Sequence, residues 1–393
     1  MTDRDKTRFV HAARPAPGDT TSSVNPSLTR ASTVLYRDTA HLRETALRRS
    51  KGERNFSYGA KGTPTTFALE DAITEVEGGA RTQLFPTGLA AIAHVFLSVL
   101  KPGDHALLAE TIYGPARAIA DDFLAARGIR CDYYAAGDAA AADVARRLRP
   151  ETRLVYLDNP GSIVFDVQDL PAIAAAAKAS GALVAVDNTW GAAGLYRPLA
   201  LGADISIVAL TKYIAGHSDI TMGSVTATGE IADQLWRDSH LLGQTVSPDD
   251  AYAVLRGLRT VSARMAQSHA HAMEVIAWLE QQPLVERVLF PALASDPGHG
   301  LWKRDFNGAN SLFSIILAKS CTLAHANALV DALRLFGIGA SWGGFESLAM
   351  TYPQGIRGWQ GGPLVRLHVG LEDPADIIAD LAKGLAAAEK LNA

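Results

Sequence analysis

The stretch ALVAVDNTWGAAGLYRPLALGADISIVALTK, residues 182–212, contains two apolar runs that each end on a charged residue. ALVAV runs into Asp187, and ISIVAL runs through Thr211 into Lys212, twenty-five positions later. Apolar runs without alternation are what parallel strands covered on both faces require. The chain between them is long enough for one helical crossover. The two runs therefore read as neighbouring parallel strands that point an acid and an amine into one crevice beyond their carboxyl ends.

The same rhythm extends outward. RTQLF (81–85), HALLA (105–109), IRCDYY (129–134) and RLVYLD (153–158) read as further strands, the last ending on Asp158. TGLAAIAHVFLSVL, LPAIAAAAKAS and the alanine-rich AAGDAAAADVARRLRP read as helices between or beside them. The fold class is α/β with a doubly wound, mostly parallel sheet. A long helix over 248–282 starts at SPDD and leads to an α+β segment, where SLFSIIL and PLVRLHV read as strands and HANALVDALRLF and DIIADLAKGLAAAEKL as helices. The expected division is an irregular arm over 1–60, an α/β domain over 61–250 and a smaller α+β domain over 251–393.

Composition narrows the function classes. With 48% hydrophobic and 20% charged residues the chain reads as globular, and a net charge of −4 gives no electrostatic basis for nucleic acid or an anionic membrane. The polar start MTDRDKTRFV lacks a signal core, so the expected compartment is the cytoplasm. Cys131 and Cys321 are too few for a disulfide framework and read as reduced core thiols. His269 and His271, two apart on a helix, face different ways, and no metal site is expected.

The charged strand ends carry the chemistry. A lysine amine such as Lys212 can bond covalently to the aldehyde of pyridoxal 5'-phosphate, and an acid such as Asp187 can keep the pyridine nitrogen protonated. The turn Pro86-Thr87-Gly88 opens a helix, so the amides of Gly88 and Leu89 can hold a phosphate, with the Thr211 hydroxyl as a further donor. Tyr113 offers an aromatic face to cover the pyridine ring.

The chain resembles the transsulfuration group of fold-type I pyridoxal phosphate enzymes of cysteine and methionine metabolism. The resemblance rests on YGAKGTPTTFALEDAITEVEGG, VDNTWGAAGLYRPLALGADISIVALTKYIAGHSD, LRGLRT, SWGGFES and VRLHVGLED, and it covers almost the whole chain. It implies pyridoxal phosphate as cofactor, bonded by Lys212, paired with Asp187 and stacked by Tyr113. It also implies a thioether amino-acid substrate gripped at its carboxylate by Arg366, with Ser341 and Trp342 beside it. Tyr58 matches a tyrosine that reaches in from a neighbouring subunit, which implies a homo-oligomer, a dimer of dimers. The implied activity is carbon–sulfur β-elimination. The alternatives are another cysteine conjugate as substrate, a γ-acting relative, and a non-catalytic cofactor-binding regulator or scaffold. The sequence departs from the group at Ala60, where an arginine usually meets the phosphate across the interface, and Lys61 is the candidate substitute. His240 falls where relatives carry a tyrosine near the distal end of the substrate.

Overall fold

The structure is a computed structural model that describes residues 3–16, 21–352, 359 and 361–392; parts of the expected arm and of the C-terminal segment lie outside this set. Seven strands form the first sheet: β1 (Arg81–Phe85), β2 (His105–Ala109), β3 (Arg130–Tyr134), β4 (Thr152–Asp158), β5 (Leu183–Asp187), β6 (Ile205–Val208) and β7 (Gly223–Ala227). Their order is β1-β7-β6-β5-β4-β2-β3, and β6 through β3 pair in parallel. Only β7 opposes its neighbours. The six strands expected from the sequence all form, each close to the expected bounds.

β7 was not expected, because GSVTA has one large apolar residue and does not read as a strand. Its small residues serve packing. The strand is buried along its length, and a Cβ on Gly223 would lie 2.5 Å from the Thr87 carbonyl oxygen. The smallness of β7 therefore makes room for the turn that opens the helix Gly88–Val99.

Two local expectations need correction. The segment between β5 and β6 is not a helical crossover but a series of turns and a short 3-10 helix, Pro198–Leu201. Gly191, Gly194 and Pro198 oppose an α-helix there, while Trp190, Leu195 and Tyr196 pack into the core. Strand β6 stops at Val208, so Lys212 stands in the turn that follows and not at the strand end itself. The N–H of Lys212 donates to the Ala209 carbonyl at 3.1 Å and closes that turn.

The second sheet holds β8 (Val285–Leu289), β9 (Leu312–Leu317), β10 (Gly337–Ile338), β11 (Leu348–Tyr352) and β12 (Leu364–His368), in the order β10-β11-β12-β9-β8. Helices Leu323–Ala332 and Pro374–Glu389 pack together beside it. β8 and β11 escaped the sequence reading because VERVL and LAMTY mix polar and apolar residues on partly exposed strands. The helix Pro248–Leu279, about 48 Å long at 1.5 Å per residue, spans both regions. Ser247 caps it by accepting from the amides of Asp249 and Asp250.

The arm is more ordered than expected. It contains helices Asp3–Val10 and Thr39–Ser50. Phe9 is buried in an apolar cluster with Leu69 and Ile73, so the first helix docks on its own chain. The remainder of the arm leaves Leu35, Leu47 and Tyr58 exposed. Among the described residues, no helix is long and apolar enough to cross a membrane.

Candidate active site

A cleft opens beyond the carboxyl ends of β4, β5 and β6, where an open α/β sheet binds ligands. Asp187, Lys212, Tyr113, Gly88, Trp342 and Arg366 are among the residues that line it. The first four belong to the first sheet and its connections, and the last two come from the second region of the chain. The cleft thus lies between the two sheets.

The Lys212 amine donates to Ser341 Oγ at 2.9 Å and lies 5.4 Å from the centre of the Trp342 ring. Burial, reinforced by the nearby Arg366 cation and opposed by Asp187, brings its pKa from 10.5 down to about 8. That leaves a useful fraction of free amine near neutral pH. The Ser341–Trp342 turn is held in place by Gly343, whose N–H donates to His368 Nε2 at 3.1 Å. A Cβ on Gly343 would lie 2.7 Å from the Tyr213 backbone nitrogen, and its φ of +83° is itself one that glycine favours. The turn from the second region thus rests directly on the backbone beside Lys212.

Asp187 ends β5, and its Oδ1 accepts the Thr189 N–H at 3.0 Å. Burial raises its pKa, while the Thr189 hydrogen bonds and the Lys212 cation favour the ionised form. Arg366 is 8% exposed on β12 and donates to the Ala340 carbonyl at 3.0 Å. Its guanidinium lies 5.4 Å from the Tyr352 ring centre. Among the described residues it has no carboxylate within ion-pair distance, which equips it to receive one from a ligand.

The helix Gly88–Val99 points its N-terminus at the same cleft. Thr87 caps it by accepting the Ala90 N–H at 3.0 Å, a contact worth about 1 kcal/mol. The amides of Gly88 and Leu89 precede the first intrahelical bond and remain available to an anion. A Cβ on Gly88 would come within 2.7 Å of Ala209 Cβ, so the approach to these amides depends on glycine. An amine, an acid, a covering ring and an anion-binding helix end fit pyridoxal 5'-phosphate. One expected donor is already engaged: the Thr211 hydroxyl donates to the Met222 carbonyl at 3.1 Å and accepts the Met222 N–H at 2.9 Å. Thr211 lines the cleft, but the structure does not leave its hydroxyl free for a phosphate.

Tyr58 and Lys61 do not join this cleft within the chain. Tyr58 is 51% exposed and precedes a 3-10 turn, Gly59–Lys61, followed by Gly62 at φ +100°. The turn is closed by the Lys61 N–H, which donates to the Tyr58 carbonyl at 2.8 Å. It depends on Gly59, where a Cβ would overlap the Ala31 carbonyl oxygen. Lys61 Nζ donates to the His240 carbonyl at 3.2 Å.

Sequence reasoning missed Arg49, which joins this second group. Its guanidinium lies 5.5 Å from the Trp236 ring centre, its Nη1 donates to Ser57 Oγ at 3.3 Å, and its Nη2 is buried without a partner. No motif marked it, because RRS at a helix end reads as a solvated cation pair. His240 stands edge-on to Trp236, 4.7 Å between centres, and burial together with Arg49 and Lys61 pushes its pKa down to about 3. It is therefore a neutral aromatic group among cations.

The sheet and its cleft define a pyridoxal-phosphate enzyme of fold-type I. The chain belongs to the family of Cys/Met metabolism PLP-dependent enzymes, which matches residues 6–386. It is 46% identical to the cystathionine beta-lyase of Bordetella avium over 94% of this chain and 93% of that one. It is 39% identical to the cystathionine beta-lyase MetC of Escherichia coli over 97% of this chain and 98% of the relative. Among solved structures, MetB of Corynebacterium glutamicum superposes with a TM-score of 0.88 at 28% identity, covering 97% of each chain.

Proposed function

We propose that the chain is a carbon–sulfur lyase acting on cystathionine, releasing homocysteine, pyruvate and ammonia with the uptake of water. The observation that carries this reading is the convergence of Lys212, Asp187 and Arg366 on one cleft, with Ser341 2.9 Å from the lysine amine. The names of its relatives support cystathionine as the substrate.

Arg366 binds the substrate carboxylate through its planar fork and so fixes which bonds at Cα face Lys212. The free Lys212 amine would take the Cα proton. Ser341 accepts a hydrogen bond from that amine and steers it, while Trp342 closes the cleft beside it. Asp187 would hold the pyridine nitrogen of the cofactor in its protonated state, and Tyr113 would cover its ring. Bound pyridoxal phosphate supplies the electron sink for the pair left at Cα. The Cβ–S bond then breaks, and the thiolate takes a proton to leave as homocysteine.

The amides of Gly88 and Leu89 and Lys61 of a neighbouring subunit would hold the phosphate, with Tyr58 of that subunit entering the same site. The exposure of Tyr58 and the unpartnered Arg49 Nη2 near it support an oligomer with shared sites, and the proposal extends to a dimer of dimers in the cytoplasm. The chain also divides functionally into the arm over 1–60, the cofactor domain over 61–250 and the C-terminal domain over 251–393.

The test is a panel of thioether amino acids, cystathionine among them, assayed for keto acid. Pyruvate with the greatest kcat/KM on cystathionine is expected. Preference for another cysteine conjugate overturns the substrate, 2-oxobutyrate as the main product overturns β-elimination, and bound cofactor without turnover points to a regulator or scaffold.

A further inference from the structure

Asp158 ends β4 as Asp187 ends β5, and the two are paired residues in the parallel register. Both line the cleft, but only Asp187 has a role in the proposed chemistry. Asp158 is 7% exposed. Its Oδ2 accepts the backbone N–H of Tyr113 at 2.8 Å, across from the loop that follows β2. Its Oδ1 is buried with no partner. The groups that face it are Asp187 on β5, Asp166 in the loop beyond β4, Tyr156 two residues back on its own strand face, and Tyr113.

No cation is among these neighbours. Two carboxylates at adjacent strand ends in a buried site do not both ionise without large cost. Asp187 has the Lys212 ammonium and the Thr189 donors to favour its charge, and Asp158 has only the neutral Tyr113 amide and Tyr156 hydroxyl. Burial first, and then the charge of Asp187, raise the Asp158 pKa well above its usual range. A proton on Oδ1 leaves Oδ2 free to keep the Tyr113 amide.

We propose that Asp158 is a positioning residue: as an uncharged acid it clamps the Tyr113 amide through Oδ2, so fixing the ring that covers the cleft, and it leaves Asp187 the one anion at these two strand ends. The carbonyl of Asp158 is itself tied by Gln168 Nε2 at 3.2 Å, so the clamp is mounted on a fixed strand end. Tyr113 needs such a clamp. It is 44% exposed, and its side chain supplies no cap to the short helix Gly114–Ala118 that begins after it. The amide held by Asp158, together with the carbonyl that accepts the Arg117 N–H at 3.1 Å, fixes the backbone from which the ring stands. The proposal rests on the place given above to Tyr113 over the cofactor ring.

The test compares Asp158→Asn, Asp158→Ala and Tyr113→Ala as loaded and cofactor-free protein. An asparagine oxygen still accepts the Tyr113 amide and carries no charge. The Asn variant is expected to keep the wild-type cofactor dissociation constant, visible circular dichroism and absorbance pH profile. The Ala variant is expected to bind cofactor about tenfold more weakly, since it leaves a buried N–H unpaired, and to match Tyr113→Ala in a diminished dichroic band. Melting of the cofactor-free proteins reports folding independently of these signals. An Asn variant as impaired as the Ala variant, or one whose pH profile moves, overturns the uncharged clamp. An unaltered Ala variant overturns the positioning role. If Tyr113→Ala itself changes neither affinity nor dichroism, the role of the ring fails and the clamp fails with it.

Discussion

The cleft at the ends of β4–β6 and the face around Tyr58 are built in opposite ways. In the cleft, acids, amine and guanidinium come from distant parts of one chain and meet within hydrogen-bonding range of one another or of shared loops, as with Lys212 and Ser341. Around Tyr58, Arg49 and Lys61 gather with no carboxylate within ion-pair distance of either among the described residues, and the tyrosine that leads them is half exposed. Lys212 in the first region already has its partner in Ser341, whereas Arg49 in the second keeps a buried Nη2 without one. The contrast is the one that the shared sites proposed above require: an assembled cleft in one subunit and an unmatched cation for its neighbour.

The largest effect should come from removing the amine. Lys212→Ala is expected to abolish pyruvate release while the protein still folds, because the residue sits in a turn and not in the strand core. Mixing it with Tyr58→Ala subunits should then restore about a quarter of wild-type activity, the share of sites that draw both intact residues from different chains. Mixtures with no recovery would mean that both regions serve within one chain.

A smaller effect is expected at the phosphate. Lys61→Ala should weaken cofactor binding about tenfold, the loss of one charge-assisted contact, and Ala60→Arg in that background should recover most of it. Equilibrium dialysis of pyridoxal phosphate measures both. Unchanged affinity in the Lys61 variant would leave the Arg49 side of the cluster as the acceptor-seeking group.

The smallest effect is in pH. Because the Lys212 amine is lowered to about 8, the rate at which cofactor-free protein takes up cofactor should rise through a midpoint near that pH. Arg366→Ala removes one cause of the lowering, so the midpoint should move upward. From the same shift, the unfolded chain holds this proton more tightly between about 8 and 10.5. This group therefore makes the cofactor-free protein more stable as pH rises across that window, which a melting series with Lys212→Met as control can measure.

The first sheet was legible because its central strands are apolar on both faces, a pattern with few other uses. β7 was not, since its residues were small for the sake of the helix end beside it. β11 was missed because it is partly exposed, with mixed polarity. At the site, Asp187 and Lys212 could be found as charges closing apolar runs, and Arg366 only through the resemblance, since a lone arginine on a strand reads as a rim residue. Asp158 stood out in the sequence for the same reason as Asp187. Its task could not be read there, because the Tyr113 amide it holds lies on another strand's loop. Arg49 had no sequence signal at all, because its meaning comes from Trp236 and Lys61, far apart in the chain.

Gly343 bears on how such a protein can change its diet over generations. The turn it anchors presents Ser341 and Trp342 to whatever enters, yet its spine is registered against Lys212 by a contact that tolerates no side chain. Heritable variation at 341 and 342 can therefore alter which molecule is accepted while the distance from turn to amine is inherited unchanged. The glycine acts as a ruler: it separates the part of the pocket open to innovation from the part that must stay fixed for any reaction at Lys212.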